Sequence, residues 1–492
     1  MHIKKSSIVL IVIVFVLLMV STTKTIYAQG TVAPVKDLKV LIIEINPYLK
    51  SKKMKVTDYF NTFGLNLNLK SSVKSIQGDF VMGSNGVVNC KIVGVEYLNE
   101  FPTYTKKVTL SHIDKSGKRI ITGKDYRLDE TTYLDIFKNG WNGWWDSINT
   151  TTLEGIDSPY YFDYNYILNK YNLVERKNAM EFDMVWVFSI DMVSMWETSM
   201  VGRSAFDVNG ATIYADCDNF VIAGFNFTRP DSAFECIGHY AEAMLNNVYQ
   251  VSNEAYNKKL IFTSYNELNT WQKFYLCLNK APLNMKKYGV GQVHFTPNST
   301  SDYDWENQTP VISTWIDWRN NYPNLKGETA EFTADVYLKE GMTANQAHKR
   351  WWFSLMPHHQ GRDSNGYSNN WWDYILSLDY VTSIGTSSKY FEKNAIDEYQ
   401  KTILLETGDT ITDLKFTLNY RSGKTKDFII NKKYNYVSSS NNKVISITDG
   451  KIKALTTGNA IIKLKYDGRE NYYKIAVVND KKAYLTNVNK SK

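Results

Sequence analysis

Apolar and polar positions along the 492-residue chain change their period several times, and each change marks an element. Val40-Leu41-Ile42-Ile43-Glu44-Ile45 is a continuous apolar run of the buried-strand type, and residues 87–97 alternate as a further strand. Residues 184–188 and 220–225 are two more strand runs. Elsewhere the period lengthens toward 3.6, and residues 232–251, 268–278 and 344–355 read as helices. Strands interleaved with helices predict one large mixed α/β unit over residues 31–385. From residue 403 the text becomes short alternating runs separated by Ser422-Gly423, Asp449-Gly450, Thr457-Gly458 and Asp467-Gly468. Strands and turns at that spacing predict an all-β sandwich over 403–478, with a linker at 386–402 and a basic tail at 479–492.

The first 28 residues have the layout of an export leader. Lys4 and Lys5 precede an apolar run over residues 8–20, and a polar stretch ends in Ile26-Tyr27-Ala28, which suits cleavage after Ala28. As a helix that run rises only about 20 Å, short of the ~30 Å hydrocarbon core. A cleaved signal peptide is the expectation, with an uncleaved anchor as the alternative because residues 21–25 can extend the span. No later segment approaches 18 apolar residues, so a secreted or cell-surface location follows, with membrane contact only through an uncleaved leader.

The sandwich segment carries a resemblance. Leu405-Glu406-Thr407-Gly408-Asp409-Thr410, Ser438-Ser439-Ser440-Asn441, Gly450-Lys451-Ile452-Lys453-Ala454 and Gly458-Asn459-Ala460-Ile461-Ile462 occur in the order of the conserved segments of bacterial Ig-like group 2 (Big2) domains, which they resemble. Tyr434-Asn435-Tyr436-Val437 stands where that family often has a Trp. The resemblance implies a non-catalytic Ig-like module that serves surface proteins as spacer or adhesive unit. The larger unit resembles an uncharacterised family of secreted microbial proteins through Trp196-Glu197-Thr198-Ser199-Met200, Gly224-Phe225-Asn226-Phe227, Gly238-His239 and Asp302-Tyr303-Asp304-Trp305; that resemblance implies no activity.

Composition narrows the classes. With 43% hydrophobic and 22% charged residues, the chain is neither disordered nor collagen-like, and four widely spaced cysteines (Cys90, Cys217, Cys236, Cys277) make no disulfide scaffold. Export permits disulfides, and buried free thiols fit equally well. Loss of Lys4, Lys5 and Lys24 with the leader takes the formal net charge from +7 to +4, too little and too scattered for a nucleic-acid partner. The excess is aromatic, 14% of residues. Trp144-Trp145, Trp351-Trp352 and Trp371-Trp372 are adjacent pairs; if on strands, one ring of each faces out. Trp144, Trp351 and Trp371 are therefore candidate stacking residues for a sugar or peptide, and the alternative is an aromatic core.

Candidate chemistry centres on residues 230–246. Glu235, His239, Glu242 and Asn246 share a narrow stripe of the helix, and Glu235 and His239, four apart, have the spacing by which one helix offers two ligands to a metal. Glu235-Cys236-Ile237-Gly238-His239 overlays HExxH but replaces its first His by Glu and its general-base Glu by Cys, so a standard zincin mechanism is not expected. Ser232-x-x-Glu235 equally fits a capping box, which would leave His239 and Glu242 on a solvated face. His294, at an expected strand end, together with Glu242, His358 or His359 would complete a mixed N/O set suited to zinc. Asp302-Tyr303-Asp304-Trp305-Glu306-Asn307 lacks the glycine of an EF-hand and is expected to be a solvated loop rather than a calcium site. Glu197 and Asp183 are strand-end carboxylates that, with Glu235, could form an acid/base pair. The expected function is a metal-dependent or carboxylate hydrolase of extracellular peptide or glycan. The competing expectation is a non-catalytic adhesion protein that binds glycan, peptide, or a host or cell-wall surface.

Overall fold

The computed structural model describes residues 30–106, 126–127, 130–131, 134, 160–190, 195, 197–210, 212–261, 264–282, 285–387, 395–397 and 402–490. The leader at 1–28 and Trp144 lie outside the described residues. Among the described residues, no helix is long and apolar enough to cross a membrane.

Strands β1 (Lys36–Ile45), β2 (Val88–Leu98), β3 (Met184–Ser189), β4 (Thr198–Val201), β5 (Thr212–Ile213) and β6 (Phe220–Asn226) form one sheet in the order β5-β4-β6-β3-β1-β2. The strands β2, β1, β3 and β6 are parallel, while β4 runs antiparallel to β6. All residues of β3 and β6 are buried, which is why their text is continuously apolar. At the sheet edge, β2 alternates instead.

Helices α1 (Leu69–Gly83), α2 (Ala233–Val248), α3 (Ala344–Ser354) and α4 (Trp372–Ser377) form a layer in which α3 touches both α1 and α2, while α2 packs on β6. Aromatic rings fill the seam between layer and sheet: Phe80 stacks at 5.8 Å on Trp186, Phe234 at 4.3 Å on Phe353, and Phe353 at 5.3 Å on Trp372. Trp351 and Trp371 belong to this core, 5% and 0% exposed, and cannot be the stacking surface expected of them. That expectation placed the pairs on strands. Trp351 and Trp352 lie on α3, where neighbours are only about 100° apart and a helix covered on two sides buries both. Trp371 abuts the start of α4 and packs edge-to-face on Trp271 and Phe274. All four cysteines are buried and free.

The C-terminal region is β-rich. Its strands are β7 (Val381–Thr386), β8 (Thr402–Glu406), β9 (Thr410–Ile411), β10 (Lys415–Tyr420), β11 (Thr425–Ile429), β12 (Val437–Ser439), β13 (Ile445–Thr448), β14 (Lys451–Ala454), β15 (Gly458–Tyr466) and β16 (Arg469–Val478). They pair as β7-β10-β11, β8-β16-β15-β12 and β9-β14-β13, with Ala395–Asp397 at the edge beside β8. The three sheets enclose one core that includes Ile403, Phe416, Ile452, Ile462 and Tyr473. Val381 and Ile384 join it through the pairing of β7 with β10, so these residues leave the α/β unit to which the sequence pattern assigned them. The tail expected at 479–492 contains a helix, Lys481–Lys490, whose Lys481 pairs with Asp409.

The two regions are joined by a polar hub. Asp467, 2% exposed at the turn between β15 and β16, accepts hydrogen bonds from Arg362 Nη1 (2.7 Å), the Tyr374 hydroxyl (2.6 Å) and Val381 N (2.9 Å). Arg469 adds a bond to the Val248 carbonyl at the end of α2, and Lys424 pairs with Asp218.

Candidate metal centre

The end of β6 leads through a 3-10 turn, Pro230–Ser232, into α2, so the first two turns of that helix lie beside the carboxyl end of the parallel strands. Ligand sites concentrate at that end of open α/β sheets. The capping alternative for Glu235 does not form: the Ser232 hydroxyl donates to the Arg229 carbonyl and caps nothing in α2. Glu235 and Glu242 are instead buried, each 5% exposed, and His239 is only slightly exposed.

His294 reaches the helix from a tight turn rather than a strand. Gln292 N donates to the Phe295 carbonyl (2.7 Å) and Phe295 N returns to Gln292 O, which closes the turn. Two glycines permit this approach. Gly291 has φ +97, and a Cβ there would meet the Phe295 carbonyl oxygen at 2.1 Å. Gly238, in the middle of α2, faces Val293 so closely that a Cβ would lie 2.5 Å from its Cγ2. The residues that follow these two contacts are His239 and His294, whose rings sit edge-to-face with centroids 4.6 Å apart. The turn is pinned by Val293 N to Glu242 Oε1 (2.6 Å) and by the Trp352 indole N–H to the Gly291 carbonyl (2.9 Å).

Glu235, His239 and His294 each offer a ligand atom, and these atoms lie within 4.8 Å of one another, so the group could hold a metal ion. His294 Nε2 is 2.9 Å from Glu235 Oε1, yet this buried nitrogen makes no well-aligned hydrogen bond. Behind each imidazole stands a further carboxyl group: Glu242 Oε2 at 3.7 Å from His239 Nδ1, and Asp302 Oδ1 at 3.4 Å from His294 Nδ1. Such carboxylate–histidine pairs orient metal ligands and fix the tautomer with Nε2 free. On the other edge of His239, Glu197 Oε2 lies 3.3 Å from Nε2 and accepts from Asn209 Nδ2 at 2.5 Å.

The electrostatics agree with a cation site. Burial alone would raise the Glu235 carboxyl, but contact with His294, the Lys349 charge and the Asn345 amide (2.7 Å) outweigh it and hold its pKa at about 2. Burial pulls His239 down, while Glu242, Glu197 and Glu235 more than reverse this and leave it above its ordinary value. Lys349 is wholly buried on α3; burial lowers it to about 8 against the pull of Glu235, Glu242 and Glu197. Its ammonium lies 3.9 Å from the centroid of the Trp305 ring and 3.3 Å from Nδ1 of His348, which burial keeps neutral. Four carboxyl groups thus surround two imidazoles and one ammonium. Tyr303, at φ +60 and 56% exposed, lies 4.3 Å from the His294 ring and edge-on to Trp305 at 5.1 Å.

Of the candidates read from sequence, Glu197, Glu235, His239, Glu242 and His294 converge. His358 does not join the ligand group: it follows the far end of α3, whose first turn holds Asn345, and that helix of 11 residues is about 16 Å long. There Nδ1 of His358 contacts the Met356 carbonyl at 2.9 Å, and the ring stacks on His359. Asp183 binds Lys39 N at the opposite, amino-terminal end of β3 and is no partner for Glu235. Asn345 and Lys349, which sequence reasoning missed, left one signal: polar residues four apart on the buried stripe of α3. No protein-family model matches the chain, and no curated protein matches it.

Proposed function

We propose that this is an exported, surface-associated metal-dependent hydrolase whose α/β unit acts on an extracellular glycan or peptide and is presented by a C-terminal Ig-like sandwich. One observation carries the reading: a Glu/His/His group gathered within 4.8 Å, each imidazole backed by its own carboxyl group. Two nitrogens and one carboxylate with a position left open suit zinc in a hydrolytic site. When bound, zinc supplies a Lewis acid that polarises a carbonyl and lowers the pKa of water. Glu235, His239 and His294 would hold it, Glu242 and Asp302 would orient the two rings, and Glu197, partly exposed beside His239, would take a proton from water.

The carboxylate version of the hydrolase loses support at Glu235. A glycosidase acid needs a raised pKa, whereas His294, Lys349 and Asn345 hold this carboxyl low, so Glu235 suits only the ionised partner, and Asp183 lies at the opposite end of β3. The adhesion reading loses Trp351 and Trp371 to the core. Export is supported by the pattern of the first 28 residues, and the Ig-like assignment by three short-stranded sheets around one core together with the Big2-like segments.

Metal analysis of the purified protein is the test. About one zinc per chain is expected in the wild type and much less in His239→Ala and His294→Ala, with unchanged circular dichroism. Absence of stoichiometric metal, or its retention in both variants, overturns the proposal.

A further inference from the structure

The surroundings of the Glu235/His239/His294 group narrow the substrate, on the premise that the metal reading above is right. The site opens to solvent along the side of Glu197, Asp302 and Tyr303, whose exposures are 30%, 58% and 56%, while Glu235 and Glu242 form its floor. An open edge of this kind suits a polymer lying across it better than a small molecule enclosed in a cleft. The most exposed apolar surface on that edge is the Tyr303 ring, tilted 44° against His294 at 4.3 Å and edge-on to Trp305. A tyrosine in the left-handed region is strained, and such strain persists where the surroundings hold it. Here Asp304 does so: its carboxylate accepts from Thr300 N (3.1 Å) and Asn307 Nδ2 (2.8 Å), and Tyr303 N bonds to the His294 carbonyl. The ring is thus held in place, half-exposed, beside His294.

Rigid exposed aromatic faces bind the apolar face of a sugar ring. Metal-assisted hydrolysis, however, addresses a carbonyl and not an acetal. A sugar that meets both requirements carries an acyl group. The charge agrees in sign: with a divalent ion counted, four carboxyl groups against one ammonium still leave about one negative charge, which favours a neutral substrate whose product is a cationic amine over an acidic glycan.

We infer that the site deacylates amino sugars of an extracellular glycan, with Tyr303 stacking on the sugar ring and the Glu235/His239/His294 group facing the acetamido carbonyl. Water adds to the carbonyl carbon as its proton passes to the Glu197 carboxylate. The C–N bond then breaks as Glu197 returns that proton to the sugar nitrogen, and the remaining proton of the added water passes from the new carboxyl group to the amine, so that acetate and the ammonium form of the sugar leave. No co-reactant besides water is consumed.

The test measures acetate released from N-acetylglucosamine hexamer by the zinc-loaded full chain, alongside cleavage of a peptide library, with metal content determined on every sample. Acetate release is expected, without peptide cleavage. Tyr303→Ala raises KM about tenfold with kcat within twofold and zinc content unchanged, and Tyr303→Phe restores KM. Zinc bound but no acetate released, or peptide cleaved in its place, overturns the glycan assignment and leaves the metal site standing. An equal loss of kcat and kcat/KM in Tyr303→Ala overturns the stacking role. Absence of zinc refutes the underlying site itself.

Discussion

Asp467→Asn is the sharpest probe of how the two regions hold together. The substitution keeps shape and tolerance of the left-handed backbone at this position (φ +47), and it removes only the charge. The buried carboxylate accepts from Arg362, Tyr374 and Val381, so the Asn oxygen can retain one or two neutral bonds while the Arg362 guanidinium loses its counter-ion. Stranding one partner of a buried pair costs roughly 3–5 kcal/mol. Arg362 is 20% exposed and keeps the Tyr466 face at 3.7 Å and the Gly366 carbonyl, which brings the expected loss below that range, to about 2–3 kcal/mol. The assay exploits an asymmetry of composition. No Trp lies beyond residue 372, so tryptophan fluorescence follows the α/β unit alone, while far-UV circular dichroism follows both regions. In urea, the two probes should coincide for the wild type and separate for Asp467→Asn, the β-rich region unfolding first. Lys463→Ala breaks an exposed pair with Glu470 and serves as the control, expected within about 1 kcal/mol of wild type. If Asp467→Asn loses no more than that control and its two transitions still coincide, Asp467 does not couple the regions.

Two further predictions concern the metal centre. Because the folded-state pKa of Glu235 lies at about 2, below its ordinary 4.5, its ionisation stabilises the metal-free fold fully above the ordinary value, and that stability is lost as pH falls toward 2. In chelator, the stability gap between wild type and Glu235→Gln should therefore narrow from pH 6 to pH 3, and a gap constant over that range refutes the assignment. Glu242→Gln leaves an oxygen for Val293 N but weakens the partner of His239 Nδ1, so zinc affinity measured against a chromophoric chelator should fall about 10–100-fold; a change below threefold would mean that Glu242 only anchors the turn.

What was legible in the sequence follows from how far apart the interacting residues are. The strands β1, β3 and β6 and the helices α2 and α3 announce themselves because burial imposes a local period, and the pairing of Glu235 with His239 follows from helix geometry alone. His294 could be nominated only as one histidine among several, and His358 was nominated on the same grounds, since a ligand from a distant turn leaves no period. For the pairs at 351–352 and 371–372 the sequence could not choose between stacking surface and aromatic core for a related reason: their exposure depends on what packs against α3 and α4, which neighbouring residues do not encode. One local trace of the long-range contact did exist. A glycine in the middle of a helix weakens it by about 1 kcal/mol relative to alanine, so Gly238, one residue before His239 on an otherwise well-formed amphipathic stretch, marks a place where something must come close. What comes close is Val293, one residue before His294. Gly291 supplies the turn that makes the approach possible. The two glycines, read as demands for backbone proximity rather than as flexibility, select His294 over His358 as the third member of the site.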